Sequence, residues 1–140
     1  MERRIQIFMM ERVSHIGIMV RDLDRAIESY TKGLGLELEG RKEIPELKLR
    51  IGFVRIGPLE IELLEFSDPA LPIPKAIRAG HYGLSHVSFE VRHLDQTVKE
   101  LETRGFTLVE GYPRQGAHGR IAFLIPPHSS EERIELLEVP

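Results

Sequence analysis

Cysteine is missing from all 140 residues, which excludes disulfides, thiolate metal sites and a cysteine nucleophile. Its absence agrees with a cytoplasmic protein. Excess charge is missing too: 19 Lys and Arg stand against 22 Asp and Glu, a formal net charge of -3. Such a chain has no bulk field to draw nucleic acid or an anionic membrane. Nothing in it approaches the 18 or so consecutive apolar residues of a membrane-spanning helix. The first ten residues hold only the short apolar run Ile5 to Met10 and no small-residue cleavage site, which makes a poor signal peptide. Residues 1–12 read as an N-terminal extension, either an added strand or the product of a start codon upstream of Met9 or Met10.

What the chain does have is repetition. Ile61-Glu62-Leu63-Leu64-Glu65 returns as Ile134-Glu135-Leu136-Leu137-Glu138, a shift of 73. Ser14-His15 returns as Ser85-His86, and Val20-Arg21-x-Leu23-Asp24 as Val91-Arg92-x-Leu94-Asp95, both shifted by 71. Ile51-Gly52-Phe53-Val54 matches Ile121-Ala122-Phe123-Leu124 at a shift of 70. Register is kept inside each block and slips between blocks, as expected if the slips fall in loops. A repeat of about 70 residues is too long for a solenoid and implies two similar modules in one domain.

Within the first module, period-2 alternation predicts a strand over 13–20. Asp22 then caps a helix to about Lys32, stopped by Gly33-Leu34-Gly35. Strands follow over 36–40, 47–56 and 59–66, with Gly57-Pro58 as a hairpin turn. Residues 67–83, with Pro69, Pro72, Pro74 and Gly80, form the connection. The second module repeats the order, with strands over 84–91, 106–110, 120–125 and 132–139 and a helix over 94–104. The predicted class is α+β: two tandem βαβββ modules, 13–66 and 84–140, forming a curved, partly open mixed sheet with helices on its convex side.

Alternation aims His15, Glu62, His86 and Glu135 away from the helix-covered faces. Two imidazoles and two carboxylates at matching positions suit one borderline divalent cation, such as cobalt, zinc, nickel, manganese or iron(II). Inward-facing charged groups on a sheet are costly unless paired or bound to a metal. Gly116-Ala117-His118-Gly119, flanked by Arg114 and Arg120, is either an ordinary loop or a cradle for a phosphate or carboxylate. Glu43 and Glu46 form either a solvated acidic loop or a source of a base. His81, His93 and His128 have no counterpart in the other module and read as solvent-facing loop residues.

The paired modules, the four strand-borne ligand candidates, and the openings Ser14-His15-Ile16-Gly17-Ile18 and Leu84-Ser85-His86-Val87-Ser88 resemble the vicinal oxygen chelate superfamily, which unites glyoxalases, bleomycin-resistance proteins and extradiol dioxygenases. Within it, the likeness is strongest to the methylmalonyl-CoA epimerases. It rests on Val54-x-Ile56-Gly57 before Ile61-Glu62-Leu63-Leu64, on Leu71-x-Ile73-x-Lys75, and on Gly116-Ala117-His118-Gly119 before Ile121-Ala122-Phe123-Leu124. The resemblance implies a divalent metal on His15, Glu62, His86 and Glu135, an acyl-CoA thioester substrate, a homodimer, and proton transfer next to the thioester carbonyl. Glu135 would serve as one base, and Glu43, Glu46 or a water as the other; Arg114, Arg120 and the 116–119 loop would hold CoA phosphates. The alternatives on the same fold are a lactoylglutathione lyase of the glyoxalase I type and a non-catalytic binding or resistance protein. The chain departs from the epimerase pattern at Ser85, where a second histidine is common, at Ser129 to Arg133, where a glycine-containing run is usual, and at Arg50 or Ile51, where some epimerases carry a glutamate.

Overall fold

The computed structural model of the protein describes residues 10–68, 82–116, 118–129 and 132–140. The chain divides into two compact units, His15–Ser85 and His86–Pro140 with the residues up to Ser14. Most of the N-terminal extension and of the proline-rich connection lies outside the described residues.

In the first unit, β1 (Arg12–Met19) leads to a short α1 (Leu23–Glu28), then β2 (Glu37–Ile44), β3 (Leu49–Ile56) and β4 (Leu59–Phe66). Asp22 caps α1 by accepting from the Arg25 N–H at 3.1 Å, as its residue type favours. The helix is shorter than its apolar spacing predicts. After Glu28 it widens into a π turn over Ser29–Gly33, and Gly35, at φ +78°, ends it. The β2 strand is correspondingly longer than predicted, running to Ile44 before a 3-10 turn over Pro45–Leu47.

The strands pair in the order β2-β3-β4-β1. The β2-β3 and β3-β4 pairs are antiparallel, whereas β4 and β1 run parallel. On one face Leu23 and Ile27 of α1 bury against Val54 and Leu63. On the other face Met19, Leu49, Ile51 and Leu64 form a second cluster, joined by Ile44, Leu47, Phe53 and Phe66. Apolar burial of this kind contributes roughly 25 cal/mol for each Å² removed from water, and it decides which residues face which way.

The second unit follows the same plan with β5 (Gly83–Val91), α2 (Leu94–Thr103), β6 (Thr107–Leu108), β7 (Arg114–Gln115), β8 (Arg120–Ile125) and β9 (Ile134–Glu138). Here β5 pairs parallel with β9, β9 antiparallel with β8, and β8 antiparallel with β6 and β7. The β7 strand was not expected from sequence. Leu94, Val98 and Leu101 of α2 bury against Val91, Ala122, Leu124 and Leu136. The α+β class with mixed parallel and antiparallel pairing is therefore what the chain adopts.

Candidate metal centre

In β1 the alternation puts His15, Gly17 and Met19 in buried positions and leaves Ile16 and Ile18 on the α1 face. Parallel pairing sets His15 opposite Glu60 and Gly17 opposite Glu62. His15 Nε2 lies 3.6 Å from Glu62 Oε2, with the imidazole 3% and the carboxylate side chain 12% exposed. Across the other edge of β4, Glu62 is in register with Phe53.

The second unit builds the same pair from equivalent positions. His86 Nε2 lies 3.3 Å from Glu135 Oε1, and both residues are buried. Glu135 is in register with Phe123 on β8 and with Ser88 on β5. The Phe123 ring stands edge-on to the His86 imidazole, centroids 5.4 Å apart. Tyr112 packs edge-on to Phe123 in turn, at 5.2 Å. Burial pushes the Tyr112 phenol above its usual range; the Arg114 guanidinium opposes that shift and the Glu135 carboxylate adds to it.

Two buried His–Glu pairs are expensive to desolvate, and neither is closed by a short hydrogen bond. Their separations of 3.3 and 3.6 Å match nitrogen and oxygen ligands that share one ion. Two ligands at about 2.1 Å from a tetrahedral cation sit about 3.4 Å apart. The donor chemistry and the spacing within each pair thus fit a divalent metal.

The remaining predicted site residues are carried by other elements of the two units. Glu43 is exposed and in register with Arg50, whose own partners, Asp24 and Glu65, lie toward α1. Glu43 is therefore on the α1 face, opposite to the His15–Glu62 face, because adjacent paired residues point the same way. Glu46 is exposed in the 3-10 turn beside Leu47, which packs on the Met19 cluster. Gly116 and Gly119 shape the turn between β7 and β8: the Gly116 N–H donates to the Gly119 carbonyl at 2.7 Å. A Cβ on Gly116 would meet Ile121 Cδ1 at 2.8 Å, so close packing accounts for that glycine. His118 is exposed, and Ala117 lies outside the described residues. Arg114 is exposed with its guanidinium 4.9 Å from the Tyr112 ring centroid. Arg120, expected as an anion binder, is instead held by Asp95 at 3.0 Å and by Glu138 at 3.5 Å.

The internal repeat explains Arg120. Arg50, its counterpart, bridges Asp24 at 3.6 Å and Glu65 at 2.8 Å. Glu65 also accepts from the Leu23 N–H at 3.1 Å, and Glu138 from the Leu94 N–H at 3.0 Å. Each unit thus carries one Asp–Arg–Glu clasp that satisfies a helix N-terminal donor and ties it to the last strand. Sequence reasoning missed these clasps, although every member sits in or beside an echoed block.

A family model of the glyoxalase/bleomycin resistance protein/dioxygenase superfamily matches residues 14–123. The chain is 31% identical over 130 residues to the uncharacterized protein YqjC of Bacillus subtilis, covering 92% of this chain and 93% of that one. It is 30% identical to the mitochondrial methylmalonyl-CoA epimerase of Bos taurus, over 89% of this chain and 73% of that one. A lactoylglutathione lyase of Escherichia coli O157:H7 is also 30% identical, over 91% and 92%. The crystal structure of methylmalonyl-CoA epimerase from Mycobacterium tuberculosis superposes with a TM-score of 0.77 at 28% identity, covering 95% of this chain and 91% of that one. With most of its length matched by the family model and its two units folded on one plan, the chain belongs to the glyoxalase/bleomycin resistance protein/dioxygenase superfamily.

Proposed function

We propose that this protein is a metal-dependent epimerase that removes and returns a proton at the carbon next to the thioester carbonyl of an acyl-CoA such as methylmalonyl-CoA. The observation that carries this reading is the pair of matched His–Glu sets, His15–Glu62 at 3.6 Å and His86–Glu135 at 3.3 Å. Relatives named as methylmalonyl-CoA epimerases support it. In this proposal the four side chains together hold one divalent cation, whether cobalt, zinc, nickel or manganese. A cation there supplies Lewis acidity at the thioester carbonyl oxygen, which makes the neighbouring C–H bond acidic.

Glu135 is the proposed base. The substrate C–H bond breaks, its proton bonds to a Glu135 carboxylate oxygen, and the electron pair spreads onto the thioester carbonyl. Phe123, in register with Glu135, packs edge-on to His86 and Tyr112 beside this carboxylate. A proton delivered to the opposite face of the carbon inverts it, and the proton taken by Glu135 then exchanges with solvent. On the opposite face of that carbon, Glu46 or a bound water is the proposed second base, since Glu43 lies on the α1 face. Arg114, exposed on β7, is proposed to meet the CoA phosphates. The active form is proposed to be a cytoplasmic homodimer.

A second reading, a lactoylglutathione lyase, draws on the E. coli relative and on the acidic residue at Glu62, which suits a four-ligand set. Metal-loaded protein is incubated with methylmalonyl-CoA in deuterium oxide, and α-deuterium is followed together with interconversion of the two epimers. Both should appear. Consumption of methylglyoxal with a thiol, without any exchange on the acyl-CoA, would select the lyase.

A further inference from the structure

The two units match at His15 and His86, Glu62 and Glu135, and Phe53 and Phe123, but one buried position between these residues differs. Where the first unit has Gly17, the second has Ser88. Gly17 is in register with Glu62, and Ser88 with Glu135. Ser88 is completely buried, and its Oγ finds no hydrogen-bond partner among the described residues. It follows His86 by two residues in β5 and so shares its face, while Phe89 and Val91 turn to the α2 core.

Buried hydroxyls in folded proteins are almost always bonded, so an unbonded one calls for an explanation. Neighbouring strands lie about 4.8 Å apart, which brings a serine hydroxyl within reach of a carboxylate opposite it on the same face. We infer that Ser88 is a positioning residue for Glu135: its hydroxyl is a reserve donor that bonds the carboxylate as Glu135 turns from His86 to receive the substrate proton. Glycine at position 17 gives Glu62 no such donor. The difference makes the two carboxylates unequal, with Glu135 able to move and Glu62 fixed as a ligand.

This inference rests on the epimerase reading, and its test separates the two. Ser88→Ala removes a single oxygen and leaves the packing intact. In metal-free His86→Ala protein, where Glu135 has lost its histidine partner and is able to turn, the infrared carboxylate band of Glu135, identified by its loss in Glu135→Gln, should shift when Ser88 becomes alanine. No such shift should appear when the same change is made in the Glu135→Gln background. In loaded protein, Ser88→Ala should lower kcat for α-proton exchange by about 10- to 100-fold with KM unchanged, and Ser88→Thr should recover most of the loss. An unshifted band, or a shifted band with kcat unchanged, would overturn the role given to Ser88. Wild-type protein that exchanges no proton would overturn the epimerase reading alone, because the infrared comparison decides the Ser88–Glu135 bond without turnover.

Discussion

Removal of the Glu65 carboxylate tests whether the Asp–Arg–Glu clasp fastens the strand that carries Glu62. Glu65 is 13% exposed, accepts from Arg50 Nε at 2.8 Å and from the Leu23 N–H at 3.1 Å. In Glu65→Ala the Leu23 donor loses a charge-assisted bond, and such bonds are worth about 1.5–3 kcal/mol. Arg50 is 31% exposed and keeps Asp24 at 3.6 Å, so water and Asp24 offset much of what the guanidinium loses. The expected destabilisation is about 2–3 kcal/mol. Glu65→Gln keeps an acceptor for Leu23 and loses only the charge, so about 1 kcal/mol is expected. Glu138 is the internal control. It is 30% exposed and its Arg120 contact is 3.5 Å, so Glu138→Ala should cost about 1 kcal/mol less than Glu65→Ala. Urea unfolding measures both as a shift in midpoint at constant slope. A cycle with Arg50→Met should show coupling of at least about 0.5 kcal/mol. A Glu65→Ala protein within about 0.5 kcal/mol of wild type, or a cycle without coupling, would refute the reasoning.

Three further outcomes are expected. The Arg41 hydrogen bond holds the Asp24 carboxyl below its ordinary value of 3.8, and the Arg120 hydrogen bond does the same for Asp95. A carboxyl lowered by folding adds stability that is complete above its ordinary value and is lost as pH falls through the lowered one. Asp24→Asn with Asp95→Asn should therefore be less stable than wild type at neutral pH, and the gap should close below pH 3.8, as followed by urea midpoints. Gly52→Ala would place a Cβ 2.9 Å from Ile27 Cδ1 and 3.1 Å from its Cγ1, so overpacking by α1 should cost about 1–3 kcal/mol in the same assay. Glu135→Gln should slow α-deuterium exchange by about 100- to 10,000-fold; a rate near wild type would remove Glu135 as the base.

Most strands, and the faces of His15, Glu62, His86 and Glu135, were legible because they depend on alternation, and a residue's face on a strand follows from parity alone. The repeat strengthened this, since His15 and Glu62 could be checked against His86 and Glu135. Glu43 shows where that logic stops. Its face depends on β2 running on to Ile44 in register with β3, and pairing between strands is not written in either strand alone. Arg120 shows a second limit. Next to a glycine-rich loop it reads as an anion binder, yet its charge is engaged by Asp95 and Glu138, which lie 25 and 18 residues away. The early end of α1 had no local signal either, because its apolar spacing continues through Tyr30 while the hydrogen bonds change to a wider turn. The turn at Gly116 to Gly119 resembles a phosphate loop in composition, but its glycines answer to Ile121 and to the Glu138 carbonyl.

The claim on which the account depends is that His15, Glu62, His86 and Glu135 serve one ion. Elemental analysis of the purified protein, compared with His15→Ala and His86→Ala made separately, tests it most directly. The account predicts close to one divalent ion per chain in the wild type and a marked loss in each variant, since each removes a ligand from the same ion. No bound metal after incubation with cobalt, nickel, zinc or manganese, or loss in one variant with full retention in the other, would contradict it.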